Sequence, residues 1–252
     1  MHIRCLWTDC DGTLTRESLG RHIVDEARRE RPEAVDARVR LYQRWNGRML
    51  RRALDGPGGL SAFLETHRAV ETVVFQELSA TRLFAGVRRD RLRELERDGA
   101  SVRDGACAVL AAVLAAGGQA HVVSAGWSAD LIHPWAPEGV QLHCNEMRFD
   151  DAGVATGELV ARVTHGFAKT EILRETDPGG DGLSVYVGDA VNDILALRMA
   201  DVGIVIQPSA MLVEAMARFG IDATTFHEGM SAERGTIYRV DSWADIHKLL
   251  QL

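Results

Sequence analysis

The chain has 252 residues, of which 46% are hydrophobic and 26% are charged, and its net charge at neutral pH is -7. This length can bury a substantial core, and the composition is that of a globular protein, not of a disordered or fibrous one. The acidic balance and the lack of a long apolar stretch or leader predict a cytoplasmic protein whose partners include neither nucleic acid nor a membrane.

The spacing of the cysteines and the distribution of the arginines add two predictions, one about disulfide and zinc sites and one about where positive charge lies. The cysteines show no CxxC spacing, so we expect buried free thiols and not a disulfide or zinc framework; they are Cys5, Cys10, Cys107 and Cys144. Residues 15–100 carry a net positive charge, whereas the remainder is acidic. Most arginines of this stretch are expected on solvated helix faces, although a few could lie over an anionic substrate.

The first predicted element is a short apolar strand from His2 to Trp7, which runs into the sequence Thr8-Asp9-Cys10-Asp11-Gly12-Thr13. Residues two apart in a strand leave the same face, so Asp9 and Asp11 are expected together at its carboxyl end. Open α/β sheets bind their ligands at that edge. The alternative is an ordinary loop in which both carboxylates cap backbone amides.

Residues 19–99 have the periodicity of helices, interrupted by Pro32 and by the glycine-rich stretch 55–59. We expect a four-helix insert whose apolar stripes form a small core. Beyond residue 100, helices alternate with strands at 119–123, 183–187, 200–206, 223–226 and 237–240, which predicts a Rossmann-like, doubly wound, mostly parallel α/β sheet. The stretches 140–149 and 153–163 predict a β-hairpin.

Polar side chains follow three of these strands. Ser124 ends the second strand, and Asp189, Asn192 and Asp193 follow the strand at 183–187. Lys169 lies near the start of a predicted helix between them. Because the carboxyl ends of parallel strands share one edge, these groups are expected to converge with the carboxylates of the first strand. Taken singly, each of these residues could instead be a helix cap or a surface charge. The prediction of a shared site therefore depends on their joint occurrence.

Several carboxylates at close range need a cation between them, because like charges repel strongly at low dielectric. Ligation by oxygen alone favours Mg²⁺ over zinc. Together with Lys169 the ion suits a phosphoryl group, to which Ser124 can donate a hydrogen bond. One aspartate could then attack phosphorus while a second protonates the leaving oxygen and later activates water.

These residues resemble the motifs of the haloacid dehalogenase-like phosphatase superfamily. The stretch Asp9–Thr15 is similar to its first motif, Ser124 to its second, Lys169 to its third and Gly188–Asp193 to its fourth. The resemblance implies that Asp9 is the nucleophile and Asp11 the general acid and base. It also implies Mg²⁺ held by Asp9, the Asp11 carbonyl and Asp189, with Asp193 supporting the metal shell and Asn192 near the phosphate or substrate.

The insert is similar to the helical cap of the phosphoserine-phosphatase-like branch, which implies a core of residues 1–15 and 101–252 and a cap of residues 16–100. Phosphoserine phosphatases carry a cap glutamate nine positions after the nucleophile; here that position is Ser18, and Glu17 precedes it. Stretches at 127–132, 145–146, 156–158, 200–206 and 219–220 look more like the thiamine monophosphate phosphatases that plants fuse to thiaminase-II-like domains.

The sequence therefore predicts a Mg²⁺-dependent phosphomonoesterase that acts on a small phosphorylated metabolite through an aspartyl phosphate, as a monomer or homodimer. Two alternatives stay open: a phosphotransferase or mutase that uses the same aspartyl phosphate, and a catalytically silent phosphometabolite-binding module. The candidate substrate contacts are Glu17, Arg44, Trp45, Arg48, Gly126, Trp127 and Asn192.

Overall fold

The computed structural model describes residues 2–252, and these residues form nine strands and nine α-helices. The strands are β1 (Ile3–Thr8), β2 (Gln119–Val123), β3 (Gln141–His143), β4 (Glu146–Phe149), β5 (Ala155–Val160), β6 (Leu183–Gly188), β7 (Val202–Ile206), β8 (Thr224–Thr225) and β9 (Thr236–Val240). The helices are α1 (Gly20–Glu30), α2 (Pro32–Asp55), α3 (Leu60–Ala80), α4 (Arg89–Leu95), α5 (Ala106–Ala115), α6 (Gly166–Thr176), α7 (Ile194–Met199), α8 (Ala210–Phe219) and α9 (Trp243–Leu250).

Seven strands form a parallel sheet in the order β3-β2-β1-β6-β7-β9-β8. The chain passes from β1 to β2 and β3 on one side, and then returns to β6 on the other side. The strand order therefore reverses at β1, and such a switch point opens a crevice at the carboxyl ends of the strands. The predicted doubly wound α/β sheet is confirmed.

Apolar side chains cover both faces of this sheet, as a parallel sheet with helices on both sides requires. Along β1, Leu6 belongs to one hydrophobic cluster, whereas Cys5 and Trp7 belong to the other. All four cysteines are free thiols, as predicted, and only Cys107 is partly exposed. Within residues 2–252 we find no helix with the length and apolar character that a membrane crossing demands.

Helices α1 to α4 lie between β1 and α5, where the sequence predicts four helices. The segments that lead into and out of them run side by side. Thr15 and Val102 form an antiparallel bridge, and the Arg16 amide donates to the Ser101 carbonyl at 2.8 Å. These hydrogen bonds fix both ends of the helical insert at one place on the sheet.

The predicted hairpin of residues 140–149 and 153–163 is only partly correct. The first stretch divides into β3, which joins the large sheet beside β2, and β4, which pairs with β5 in a separate antiparallel ribbon. The buried side chain of Asn145 lies at the division. Its amide donates to the carbonyls of Ala125 and Val163, and its oxygen accepts from the Arg162 and Val163 amides. These bonds anchor the chain where it leaves the sheet.

Candidate active site

The strand order brings three polar chain segments to one edge of the sheet. Asp9 follows β1, Ser124 follows the neighbouring strand β2, and Asp189 follows β6 on the other side. A cavity of about 190 Å³ opens at this edge. Six of the predicted site residues line it: Asp9, Asp11, Ser124, Gly126, Trp127 and Asn192.

Lys169 is fully buried beneath this cavity, between two carboxylates. Its Nζ lies 2.9 Å from Asp9 Oδ1 and 2.7 Å from Asp193 Oδ1. Burial opposes the charge of the ammonium, but the attraction of Asp193 and Asp9 is stronger in sum and raises the pKa of Lys169 above its ordinary value. The first turn of α6 presents this lysine, and the ring of His165 caps that turn by accepting from the Ala168 amide at 3.1 Å.

The carboxylate of Asp193 is surrounded by four donors. Its Oδ1 accepts from Lys169 and, at 2.6 Å, from the hydroxyl of Tyr186, while its Oδ2 accepts from the amides of Asp189 and Ala190. A carboxylate has about four lone-pair positions, so these bonds occupy its capacity. Asp193 therefore holds the lysine and the loop after β6 in place and has little left to offer a metal ion.

The acidic groups at this edge form a set suited to a hard divalent cation. One carboxylate oxygen each from Asp9, Asp189 and Asp193 lies within 4.8 Å of the others. Burial, followed by repulsion from Asp193, raises the pKa of Asp189 to about 7, and burial is also the main reason that the pKa of Asp9 is raised. One ammonium cannot balance three carboxylates, and a ligand set of oxygens alone fits Mg²⁺.

Two glycines make room for these carboxylates. Gly12 has a φ of +80°, and a Cβ built on it would lie 2.5 Å from Asp189 Oδ2. Gly188 ends β6, and a Cβ there would lie 2.5 Å from Asp193 Cγ. Any side chain at either position would displace an acidic group of the site, and at Gly12 it would also strain the backbone.

Asp11 lies on the other side of the cavity, where the loop after β1 meets α1. Its Oδ2 accepts from the Ser18 hydroxyl at 2.8 Å and its Oδ1 from the Leu19 amide at 2.9 Å. Burial raises the pKa of Asp11, and these two hydrogen bonds offset part of that rise. The carboxyl group thus takes up a proton more readily than an exposed aspartate does.

Neutral polar groups complete the cavity wall. The Ser124 amide donates to the carbonyl of His143 at 2.8 Å, and its hydroxyl oxygen accepts from the Gly126 amide at 3.0 Å, which leaves the hydroxyl proton available. The buried Oδ1 of Asn192 has no hydrogen-bond partner in residues 2–252. The ring of Trp127 packs on Phe84 with centroids 4.8 Å apart.

The remaining predicted contacts, all in the helical insert, are not part of this cavity lining. Glu17 is exposed and forms an ion pair with Arg21. On α2, Arg44 and Arg48 are exposed and Trp45 is half-buried. Their contact with a substrate therefore stays a prediction.

Three residues with a clear part in the site were given no role from the sequence. Thr13 donates to Asp189 at 2.7 Å, Ser18 donates to Asp11, and Tyr186 donates to Asp193. Tyr186 carried a usable signal, because a tyrosine flanked by valines in a central strand needs a buried partner for its hydroxyl. The other two lie in loops, where spacing gives no indication of side-chain direction.

A family model described as haloacid dehalogenase-like hydrolase matches residues 6–198. The chain belongs to this family. The matched haloacid dehalogenase-like region contains every residue of the site described above, and the predicted family membership and hydrolase class are confirmed.

This haloacid dehalogenase-like chain shares only moderate or low sequence identity with individual relatives. It is 32% identical over 154 residues to the bifunctional TH2 protein, mitochondrial, of Arabidopsis thaliana, a match that covers 50% of this chain but only 25% of that protein. A phospho-aspartyl intermediate analogue of phosphoserine phosphatase has a similar fold, with a TM-score of 0.51 and 19% identity over 85% of this chain and 91% of that one. A protein of unknown function from Bordetella pertussis Tohama I aligns with a TM-score of 0.55 and 23% identity over 87% and 97% of the two chains.

Proposed function

We propose that this protein is a Mg²⁺-dependent phosphomonoesterase that hydrolyses a small phosphorylated metabolite through a phosphate ester of Asp9. The observation that carries the proposal is the cluster of the Asp9, Asp189 and Asp193 carboxylates, two of which bind the buried ammonium of Lys169, beside a cavity lined by Asp9 and Asp11. A binding site alone would need no second aspartate with a raised pKa. That feature favours catalysis over mere binding of a phosphometabolite.

Asp9 is the proposed nucleophile. Lys169 and the Cys10 amide both contact its Oδ1, at 2.9 and 2.8 Å, which orients the carboxylate and leaves Oδ2 to attack phosphorus. The bond from Oδ2 to phosphorus forms as the bond from phosphorus to the leaving oxygen breaks. Attack by water on the same phosphorus then releases inorganic phosphate and restores Asp9.

Asp11 is the proposed general acid and base. Its raised pKa favours a proton on the carboxyl group, which it gives to the leaving oxygen in the first step. The resulting carboxylate takes a proton from the attacking water in the second step. The hydrogen bonds from Ser18 and Leu19 keep it at the mouth of the cavity in both states.

Asp9 and Asp189 are the side chains that would hold Mg²⁺, because Asp193 is occupied by its four donors. When bound, the ion would neutralise charge on the phosphoryl oxygens and lower the repulsion between the carboxylates. Lys169 supplies a second positive charge, and the Ser124 hydroxyl donates to a phosphoryl oxygen. Asn192 Oδ1 can accept a hydrogen bond from the substrate.

We also propose that residues 1–15 and 101–252 are the catalytic core and that residues 16–100 form a cap. The pairing of Thr15 with Val102 supports this division, because the chain leaves and rejoins the core at one place. Ser18 and Gly20, at the start of the proposed cap, line the catalytic cavity. A cap in this position selects substrates by covering the leaving group.

The test is hydrolysis of 4-nitrophenyl phosphate with Mg²⁺ and no acceptor alcohol, followed by a screen of phosphorylated metabolites that includes thiamine monophosphate, phosphoserine, sugar phosphates and nucleotides. We expect release of inorganic phosphate, and loss of at least 10³-fold in kcat for Asp9→Asn and for Asp11→Asn. Asp241→Asn, at an exposed loop aspartate, is the matched control and should keep full activity. Full activity of the Asp9 variant would overturn the proposal. Release of 4-nitrophenol only with an added acceptor alcohol, with the phosphoryl group recovered as an ester of that alcohol and not as inorganic phosphate, would make the protein a phosphotransferase.

A further inference from the structure

A second cavity, of about 490 Å³, adjoins the catalytic cavity on the side of the helical insert. The two cavities share three lining residues, Ser18, Gly20 and Trp127. The catalytic cavity, at about 190 Å³, is below the range of roughly 300–1,000 Å³ that is usual for small-molecule sites. It has room for a phosphoryl group, and the residues shared by the two cavities form an opening through which the rest of a substrate can extend into the second one.

The wall of the second cavity is apolar and aromatic. Val24 comes from α1, Val39 and Tyr42 from α2, and Val74 from α3, while Phe84 packs behind Trp127. At Gly20 a Cβ would lie 3.5 Å from an atom of the six-membered ring of Trp127. Because this is an ordinary van der Waals distance, the Gly20 backbone lies close to the ring at the opening that the two cavities share.

The charged residues of the wall are paired within the chain. Arg21 is bound to Glu17, and Arg28 is bound to Asp25 and, through its Nε at 2.7 Å, to Asp36. A carboxylate or second phosphate on the leaving group would find no free cation here. Such a group would have to compete with Glu17, Asp25 and Asp36 for these partly exposed arginines.

From these observations, and resting on the proposed phosphatase function, we infer that the substrate is the phosphate ester of a flat aromatic alcohol that carries no other anionic group. The alcohol part lies in the second cavity against Trp127, with its ester oxygen at the shared opening near Asp11. Small polar esters such as phosphoserine and glycerol phosphate have little apolar surface to bury against this wall, so they gain no binding free energy from it.

The experiment compares three esters of primary alcohols, 2-(2-naphthyl)ethyl phosphate, glycerol 3-phosphate and phosphoserine, so that differences in leaving-group chemistry are small. We expect kcat/KM for the naphthylethyl ester to exceed both others by at least 10-fold. Comparable values for the three, or a preference for phosphoserine, would overturn the inference while the proposed phosphatase function stands. No hydrolysis of any ester or of 4-nitrophenyl phosphate would overturn both.

Neighbouring valines on α3 supply a matched pair of variants. Val74→Phe fills the cavity, whereas Val73→Phe adds the same ring at a position that is 44% exposed and outside it. We expect the preference for the naphthylethyl over the glycerol ester to fall at least 10-fold in the first variant and to stay unchanged in the second. Val24→Phe, which fills the same space from α1, should repeat the effect if Val74→Phe does not fold. If folded Val74→Phe or Val24→Phe prefers the naphthylethyl ester as strongly as Val73→Phe does, the placement of the alcohol in the second cavity is overturned.

Discussion

Replacement of Lys169 by methionine removes the positive charge between two buried carboxylates while keeping the length of the side chain. Lys169 is 0% exposed, and its two partners, Asp9 and Asp193, are 4% and 0% exposed. Asp193 is closed to water, and Asp9 meets the cavity over only a small part of its surface, so solvent replaces the lost ammonium poorly. We therefore expect the variant to be destabilised before any effect on catalysis is considered.

The size of the loss follows from the burial of the group. Removing one partner of a buried ion pair costs about 3–5 kcal/mol, because the remaining charge is left uncompensated. In a chain of this length each 1 kcal/mol shifts the melting temperature by about 2–4 °C, so the expected decrease is about 6–20 °C. Without the lysine the pKa of Asp9 rises further, and a folded-state pKa above the unfolded value costs stability as the pH increases. The deficit should therefore be larger at pH 8 than at pH 5.

The assay is thermal and urea unfolding, followed by circular dichroism, in buffer with EDTA so that no divalent cation replaces the ammonium. The matched control is Lys248→Met, at the only other lysine in the sequence, whose side chain is 54% exposed beside Glu228. The control should change the free energy of unfolding by less than about 1 kcal/mol. A Lys169→Met protein as stable as this control at pH 8 would refute the argument that the ammonium compensates the carboxylates.

Three further predictions concern other parts of the molecule. Gly12→Ala should lower kcat and cost about 1–3 kcal/mol of stability, measured by urea unfolding, because its φ is positive and its Cβ meets Asp189; wild-type values would contradict the clash. Mg²⁺ should raise the melting temperature of the chelated protein in proportion to the logarithm of its concentration, and Asp189→Asn should abolish this shift; a shift of wild-type size in that variant would exclude Asp189 as a ligand. Burial lowers the pKa of His121 and of His143 to about 4, so the unfolded chain binds more protons between pH 6.5 and pH 4. Stability should fall there, as the pH falls, by up to about 1.4 kcal/mol per pH unit for each histidine, and a double glutamine variant should lose that part of the urea-unfolding pH profile.

The polar edge of the sheet could be predicted from the sequence because its residues follow directly after apolar strands. Asp9, Ser124 and Asp189 each come immediately after a strand, and the topology of an open parallel sheet then determines which strand ends are neighbours. Lys169 follows no strand of the large sheet, and its place beside these groups was predicted only from their joint occurrence and from the family resemblance. Strand order alone was sufficient to bring Asp9, Ser124 and Asp189 to one edge.

The contacts of the helical insert could not be predicted in this way. The helical periodicity of residues 19–99 predicts apolar stripes, and Val35 and Val39 of α2 do pack on the core. It does not reveal which part of the stripe faces the second cavity, because that depends on how the helices turn over the sheet. Val39 and Tyr42 of this helix line the second cavity. Trp45, the predicted substrate contact, lines neither cavity.

The hydrogen-bonded pair of segments at Thr15 and Val102 has a consequence for the evolution of the molecule. These bonds join backbone to backbone, so they depend little on which side chains are present. The large sheet contains no strand from the stretch between the two segments, so the helices of that stretch can change in length or sequence while the register of the sheet stays the same. Under the proposed function, changes of substrate preference can thus arise within one contiguous stretch of the gene, as long as Ser18 and Leu19 keep their hydrogen bonds to Asp11.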